Sequence, residues 1–219
     1  MVISEAAGLD SGFHSHPTMA HAVAHELRRR VIAGTIKPGT HLKERQLARE
    51  FHVSKTPVRD AVRHLVNEGL VEMKPQRGAY VRDFTLRDMI ELAQIREGIE
   101  GVAFAAFAPL VTEEDLSLLR AYHQSYFDAC ETGDLAEAYH ANWSFHNYVV
   151  EQAGNKQLAE LVRRLAVQQV LFLRTGQRLG PEHMQADRDC HLPLVEALET
   201  RDPETAEKAI KAHIREAIA

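Results

Sequence analysis

The chain has 219 residues, 45% of them apolar, and 26 Lys plus Arg against 31 Asp plus Glu give a formal net charge of −5; it is too apolar to be disordered and long enough for two domains with separate cores. The longest apolar stretch, Gly101–Thr112, is about half of the ~20 residues a membrane helix needs; the two cysteines, Cys130 and Cys190, form no C-x-x-C unit and point to a reduced, cytoplasmic setting. The charge is divided: residues 18–82 hold 13 basic and 6 acidic side chains, and residues 83–219 hold 13 basic and 23 acidic, so a +7 module suited to nucleic acid is joined to a −10 module with another task.

Residues 1–17 lack a basic segment followed by an apolar one and read as a loose tail rather than a secretory signal. Thr18–Ala33 is predicted as a helix, with Val23, Leu27 and Val31 on one face and a stop at Gly34. A Pro38-Gly39 turn precedes a short helix over Glu44–Phe51. After a break at His52-Val53, Ser54 suits the N-cap of a third helix and Pro57 its first turn. There Val58, Ala61, Val62, Leu65 and Val66 follow the i, i+3, i+4, i+7, i+8 rule of a buried face, and Asn67-Glu68-Gly69 closes the helix. Leu70–Met73 and Ala79–Arg82 are β-like runs around a Gly78-assisted hairpin turn. Three short helices and a hairpin make residues 18–82 a winged helix-turn-helix.

From Thr85 onward the pattern is helical, over Thr85–Ala108, Thr112–Thr132, Asp134–Ala153, Lys156–Gln177, Pro181–Thr200 and Pro203–Ile218. Thr112-x-x-Asp115 resembles a capping box, and Asp134 and Asp202 suit N-caps. Short connections imply antiparallel neighbours, so residues 83–219 are predicted as an all-helical bundle and the chain as mainly α.

In the basic module, Thr56, Arg59 and Arg63 fall within roughly a 60° arc of the third helix at about 100° per residue, away from its apolar face. With Lys55 at the helix N-terminus and Arg77-Gly78 at the wing tip, they offer donors to phosphates and base edges. The segments Leu42-Lys43-Glu44-Arg45-Gln46-Leu47-Ala48, Val53-Ser54-Lys55-Thr56-Pro57-Val58-Arg59-Asp60-Ala61, Leu65-Val66-Asn67-Glu68-Gly69-Leu70-Val71 and Arg77-Gly78-Ala79-Tyr80-Val81 resemble the GntR family of bacterial transcription regulators. The resemblance implies that Arg45, Lys55, Thr56, Arg59 and Gly78 contact operator DNA. Two positions depart from that family: Lys55 replaces an arginine and cannot make its bidentate contact to guanine, and His52 replaces a frequent turn glycine.

In the acidic module, Asn142 and His146 lie one helical turn apart. His191 shares a face with Leu194, Val195 and Leu198, and His213 with Ala206, Ala209, Ile210 and Ala217, so each should point into the bundle. Buried histidines are commonly hydrogen-bonded core residues, yet facing helices can also gather imidazoles around one ion. The region is similar to the all-helical FCD domain of the FadR subgroup, with Asn142-x-x-x-His146, then His191, then His213 standing 22 residues further on. That similarity implies a divalent metal held by these four positions. Asn142 stands where the family has aspartate, which removes one ligand charge; three imidazoles favour zinc, with nickel or manganese as alternatives.

The same resemblance places Arg96 against an acidic effector, with an intradomain ion pair as the competing role, and Arg174 is a second cation of this kind. A small carboxylate effector would suit both. The expected assembly is a homodimer, joined through the helical domains, on double-stranded operator DNA with a short inverted repeat. No His-Glu-x-x-His unit, Gly-x-Ser-x-Gly elbow or phosphate loop is present, which argues against an enzyme such as a metal-dependent hydrolase. A regulator for which the ion is itself the signal is the remaining alternative.

Overall fold

The computed structural model describes residues 18–173 and 188–217. These divide into two compact units, one of residues 18–85 with 167–173 and one of residues 86–166 with 188–217. The N-terminal tail, Arg174, residues 181–187 of a predicted helix and Ile218 lie outside the described residues.

In the first unit, α1 (Met19–Ile32) is capped by Thr18, whose hydroxyl accepts the His21 N–H. It packs on α3 (Lys55–Asn67), burying Val23, Ala24, Leu27 and Val31 against Val58, Ala61, Val62 and Leu65. Arg28 grips Glu68 with Nε–Oε2 at 2.8 Å and Nη2–Oε1 at 2.5 Å, tying α1 to the end of α3. Between them lies α2 (Glu44–Glu50), followed by the tight turn in which His52 takes a positive φ of 55°. Ser54 occupies the α3 N-cap without a side-chain cap hydrogen bond.

The hairpin pairs β1 (Val71–Lys74) with β2 (Gly78–Val81), antiparallel, Val71 opposite Val81 and Lys74 opposite Gly78. Both strands lie one residue nearer the turn than the pattern predicts, because Gln76 adopts a left-handed φ of 60° and Arg77 N–H closes on the Lys74 carbonyl at 3.0 Å. His41 bridges to Tyr80 and stacks on its ring with centroids 4.6 Å apart, adding a third edge. Gly78 has φ +95°, and a Cβ there would meet His41 Nε2 at 2.8 Å. This glycine is therefore demanded by the wing itself. Gly78→Ala is expected to lower stability by about 1–3 kcal/mol, read as a lower urea midpoint for the full chain.

The second unit contains α4 (Leu86–Phe107), a 3-10 turn Ala108–Leu110, α5 (Glu113–Thr132), α6 (Leu135–Gln152), the start of α7 (Lys156–Leu173), α8 (Leu192–Glu199) and α9 (Pro203–Glu216). The predicted capping box forms between Thr112 and Asp115. Asp134 accepts from Glu137 N–H, and Asp202 accepts from Thr205 N–H. Phe104, Phe107, Leu119, Phe145, Leu194, Leu198 and Ile210 build a core shared by α4, α5, α6, α8 and α9. Gly101 lets α9 come close to α4, since a Cβ there would meet Lys211 Cε at 2.9 Å.

One predicted helix is corrected. Within the described residues, Pro181–Thr200 becomes helical only at Leu192, and residues 188–191 are turn. Pro193 sits in the first turn of α8, where its missing N–H costs nothing, whereas in a helix continuous from Arg188 its ring would clash with the Asp189 carbonyl. His191 therefore stands at the N-cap, not on a helix face, and is buried all the same.

Candidate functional site

Two groups of side chains stand out, one in each unit. The first begins with α3, whose buried apolar face turns Lys55, Thr56, Arg59 and Arg63 outward; all four are exposed, as are Arg45 on α2 and Arg77 beside Gly78 in the wing. Arg59 leans on Glu44 of α2, with Nη2–Oε2 at 3.3 Å, and Arg63 on Asp60 at 3.4 Å. Exposed pairs of this kind are weak, so a phosphate or base edge can displace the carboxylates at little cost. Glu44 was not singled out in the sequence, and its spacing from Arg59 carries no helical signal because the two lie on different helices.

The second group lies inside the bundle, His146 and His191 fully buried and Asn142 and His213 half-buried. Asn142 and His146 project from α6, His191 from the N-terminus of α8, and His213 from α9. One ligand atom from each of His146, His191 and His213 lies within 4.8 Å of the others. Ring centroids are 5.4 Å apart for His146 and His191, 5.1 Å for His146 and His213, and 5.3 Å for His191 and His213. Asn142 Oδ1 is 3.0 Å from His191 Nε2, which joins the amide to the cluster. Phe145 stacks on His191 at 4.6 Å and fixes its plane.

The polar partners orient the imidazoles. His146 Nδ1 lies 2.8 Å from Glu100 Oε2, while its Nε2 is buried with no hydrogen-bond partner. A carboxylate on Nδ1 holds the proton there and leaves the Nε2 lone pair free, as in metal-ligating histidines. His213 hydrogen-bonds the backbone of Cys190, a second support of the same type. Glu100 is wholly buried. Burial pushes its carboxyl up, but Arg96, with Nε 2.5 Å away, and His146 outweigh this and hold it well below the usual carboxylate range. Burial, reinforced by His146 and Arg96, presses the His213 imidazole down to about 3; burial and its neighbouring histidines push His191 well below its usual value.

His191 and His213 are thus built to be neutral donors, and the orphaned buried nitrogens His146 Nε2 and His191 Nδ1 fit a divalent cation. Metal-free protein should show the cost. The unfolded chain takes up protons as pH falls below about 6.5, whereas folded His213 does so only near 3. Stability is complete above about pH 6.5 and declines on acidification, by up to about 1.4 kcal/mol per pH unit for His191 and for His213. The urea midpoint is expected to be clearly lower at about pH 5.5 than at about pH 7.5; equal midpoints would contradict buried neutral imidazoles.

Arg96 makes the intradomain ion pair weighed in the sequence, with Glu100 one turn along α4. Arg174 lies outside the described residues. Neither Glu100 of α4 nor His123 of α5 is singled out in the sequence. The His123 ring centroid is 6.4 Å from that of His191, and its Nδ1 is buried without a partner. The signal for His123 was available: with Leu116, Leu119 and Cys130 it continues the inward stripe of α5.

Among the described residues no helix is long and apolar enough to cross a membrane. The family described as FCD domain matches residues 91–216, and that described as Bacterial regulatory proteins, gntR family, matches residues 19–81. A probable D-xylose utilization operon transcriptional repressor of Paenarthrobacter nicotinovorans is 29% identical over 90% of this chain and 86% of its own length. The HTH-type transcriptional repressor RspR of Escherichia coli is 28% identical over 87% and 83%. A crystal structure of a putative GntR transcriptional regulator from Rhodococcus sp. RHA1 has the same fold, with a TM-score of 0.75 at 24% identity over 91% of this chain and 95% of that one.

Proposed function

Because the chain belongs to the GntR family of bacterial regulatory proteins and carries an FCD domain, it is a DNA-binding transcriptional regulator and not an enzyme; we propose that it is a cytoplasmic repressor whose operator affinity is set by a small carboxylate bound at a metal site in the helical domain. The observation that carries this reading is the convergence of three imidazoles, two buried and one half-buried, with His146 Nε2 buried and unpartnered. Asn142, His146, His191 and His213 would hold the ion, zinc first, with nickel or manganese as alternatives. A bound cation would supply a Lewis-acidic seat for an anionic oxygen. Arg96 lies beside the cluster as a second anion partner, and Arg174 is retained as a further one.

Residues 18–82 act as the operator-reading domain in this scheme, with Arg45, Lys55, Thr56, Arg59, Arg63, Arg77 and Gly78 at the DNA, and residues 83–219 as the sensing and dimerising one. A homodimer on a short inverted repeat is supported by the outer face of α4. Ile95 and Val102 are 50% and 54% exposed there, and Leu161 of α7 is 48% exposed. Between them Gly98 has open space where a Cβ would stand. Among the described residues no contact calls for a mid-helix glycine that costs about 1 kcal/mol, whereas a second copy packed on this stripe would. A carboxylate held in the bundle alters its conformation, and coupling of ~1–3 kcal/mol changes operator affinity by about 5–150-fold.

The test is elemental analysis and native mass spectrometry of the purified protein, paired with operator mobility shifts with and without chelator and small carboxylates. Stoichiometric metal, a dimer and a carboxylate-dependent shift are expected. A shift that follows chelation alone would make the ion the signal, and protein without affinity for any divalent metal would overturn the metal-centred scheme.

A further inference from the structure

Glu100 occupies a position that a carboxylate rarely takes unless it is held from both sides. It is 0% exposed, and burying an anion is costly unless partners and hydrogen bonds compensate. Its two oxygens are divided between different tasks. Oε1 accepts from Arg96 Nε at 2.5 Å, and Oε2 is 2.8 Å from His146 Nδ1. The Arg96 side chain is 13% exposed, so it is less enclosed than the carboxylate it holds. The three residues form a line from the cation that suits an anionic ligand to the imidazole that suits a metal.

Resting on the metal-site reading above, we infer that Glu100 is a positioning residue that links Arg96 to His146, so that occupancy of the guanidinium and metal affinity of the imidazole cluster rise together. The physical basis is competition for one carboxylate. While Arg96 is turned to Glu100, the negative charge of Glu100 is shared between guanidinium and imidazole. An incoming carboxylate that takes donors from Arg96 loosens that hold, and the charge of Glu100 then rests on His146. A more strongly polarised Nδ1–H makes Nε2 a better donor to a cation. By linkage, a cation at the imidazoles strengthens the carboxylate's hold on Arg96 by the same factor. The signal in the sequence is the i, i+4 spacing of Arg96 and Glu100 on α4; the partner His146 lies on α6 and could not be read from it.

The experiment uses the full-length chain with Zn²⁺ alone, titrated against a chromogenic chelator. The variants are Glu100→Gln, Arg96→Gln and the double substitution, each checked for folding by circular dichroism. Glu100→Gln is expected to weaken Zn²⁺ binding about 10–100-fold. Arg96→Gln is expected to tighten it several-fold in the Glu100 background and by much less beside Gln at position 100. An Arg96→Gln effect of the same size in both backgrounds would reflect simple removal of a nearby cation and would overturn the linkage. A second measurement covers the case in which Glu100→Gln fails to fold. Long-range ¹⁵N–¹H spectra of the metal-free wild type should place the His146 proton on Nδ1, and a proton on Nε2 instead would overturn the positioning role. Wild-type protein that binds no Zn²⁺ removes the metal reading itself, whereas tight wild-type binding unaffected by Glu100→Gln removes only this inference.

Discussion

His146→Ala is expected to reduce metal affinity by at least about 100-fold and to abolish the response of operator binding to small carboxylates, while metal-free binding to operator persists. The size of the effect follows from position. Loss of an outer partner of a metal ligand costs about 10–100-fold, so loss of a ligand itself should cost at least as much. His146 is the imidazole with an unpartnered buried Nε2, and its other nitrogen is held by Glu100. Truncation also leaves a cavity beside Phe104 and Phe145 and strips Glu100 of one partner. Destabilisation of a few kcal/mol is therefore expected. It must be separated from the functional effect by recording thermal unfolding alongside metal content and anisotropy of labelled operator. A folded variant with an intact carboxylate response would eliminate the metal-centred scheme, whatever its metal content.

Arg59→Ala is expected to weaken operator binding by about 1–3 kcal/mol, or about 5–150-fold, with metal content unchanged. Arg59 sits on the exposed face of α3, 56% accessible, held loosely by Glu44. Its removal deletes a donor and at the same time leaves the Glu44 carboxylate facing the DNA without a counter-charge. The loss should therefore exceed that of an isolated exposed arginine. Salt dependence separates two roles: a phosphate contact lowers the slope by about one and acts on all sequences alike, whereas a base contact relaxes preference at one operator position. Unaltered affinity across a salt series would remove Arg59 from the interface.

How much of this was legible in the sequence depends on the range of the interactions involved. The helices of the first unit, the hairpin, the capping box at Thr112 and the Asp202 cap follow from local spacing and turn chemistry, and they form as expected. Local rules misplace structure where one residue adopts an unusual backbone. Gln76 shifts both strands by one position, and Pro193 delays α8 until Leu192. The inward direction of His146 and His213 follows from helical periodicity. His191 is inward for a different reason, since it stands at an N-cap packed against Phe145 and Tyr126.

The sequence by itself determined the division into a basic reader and an acidic bundle, the helix type of nearly every segment, and the residue types able to meet DNA or a metal. These depend on composition and on contacts between residues a turn or two apart, which periodicity records directly. Tertiary structure alone decided that Glu100 joins Arg96 to His146 and that Glu44 answers Arg59. It alone decided that His41 fills the space required by Gly78, and that His123 lies behind His191. Except for the Arg96–Glu100 turn, each of these is a meeting of side chains from separate elements, and no spacing along the chain encodes it. Their geometry arises when apolar faces pack and bring the polar groups between them to hydrogen-bond distance, where burial makes a partner obligatory.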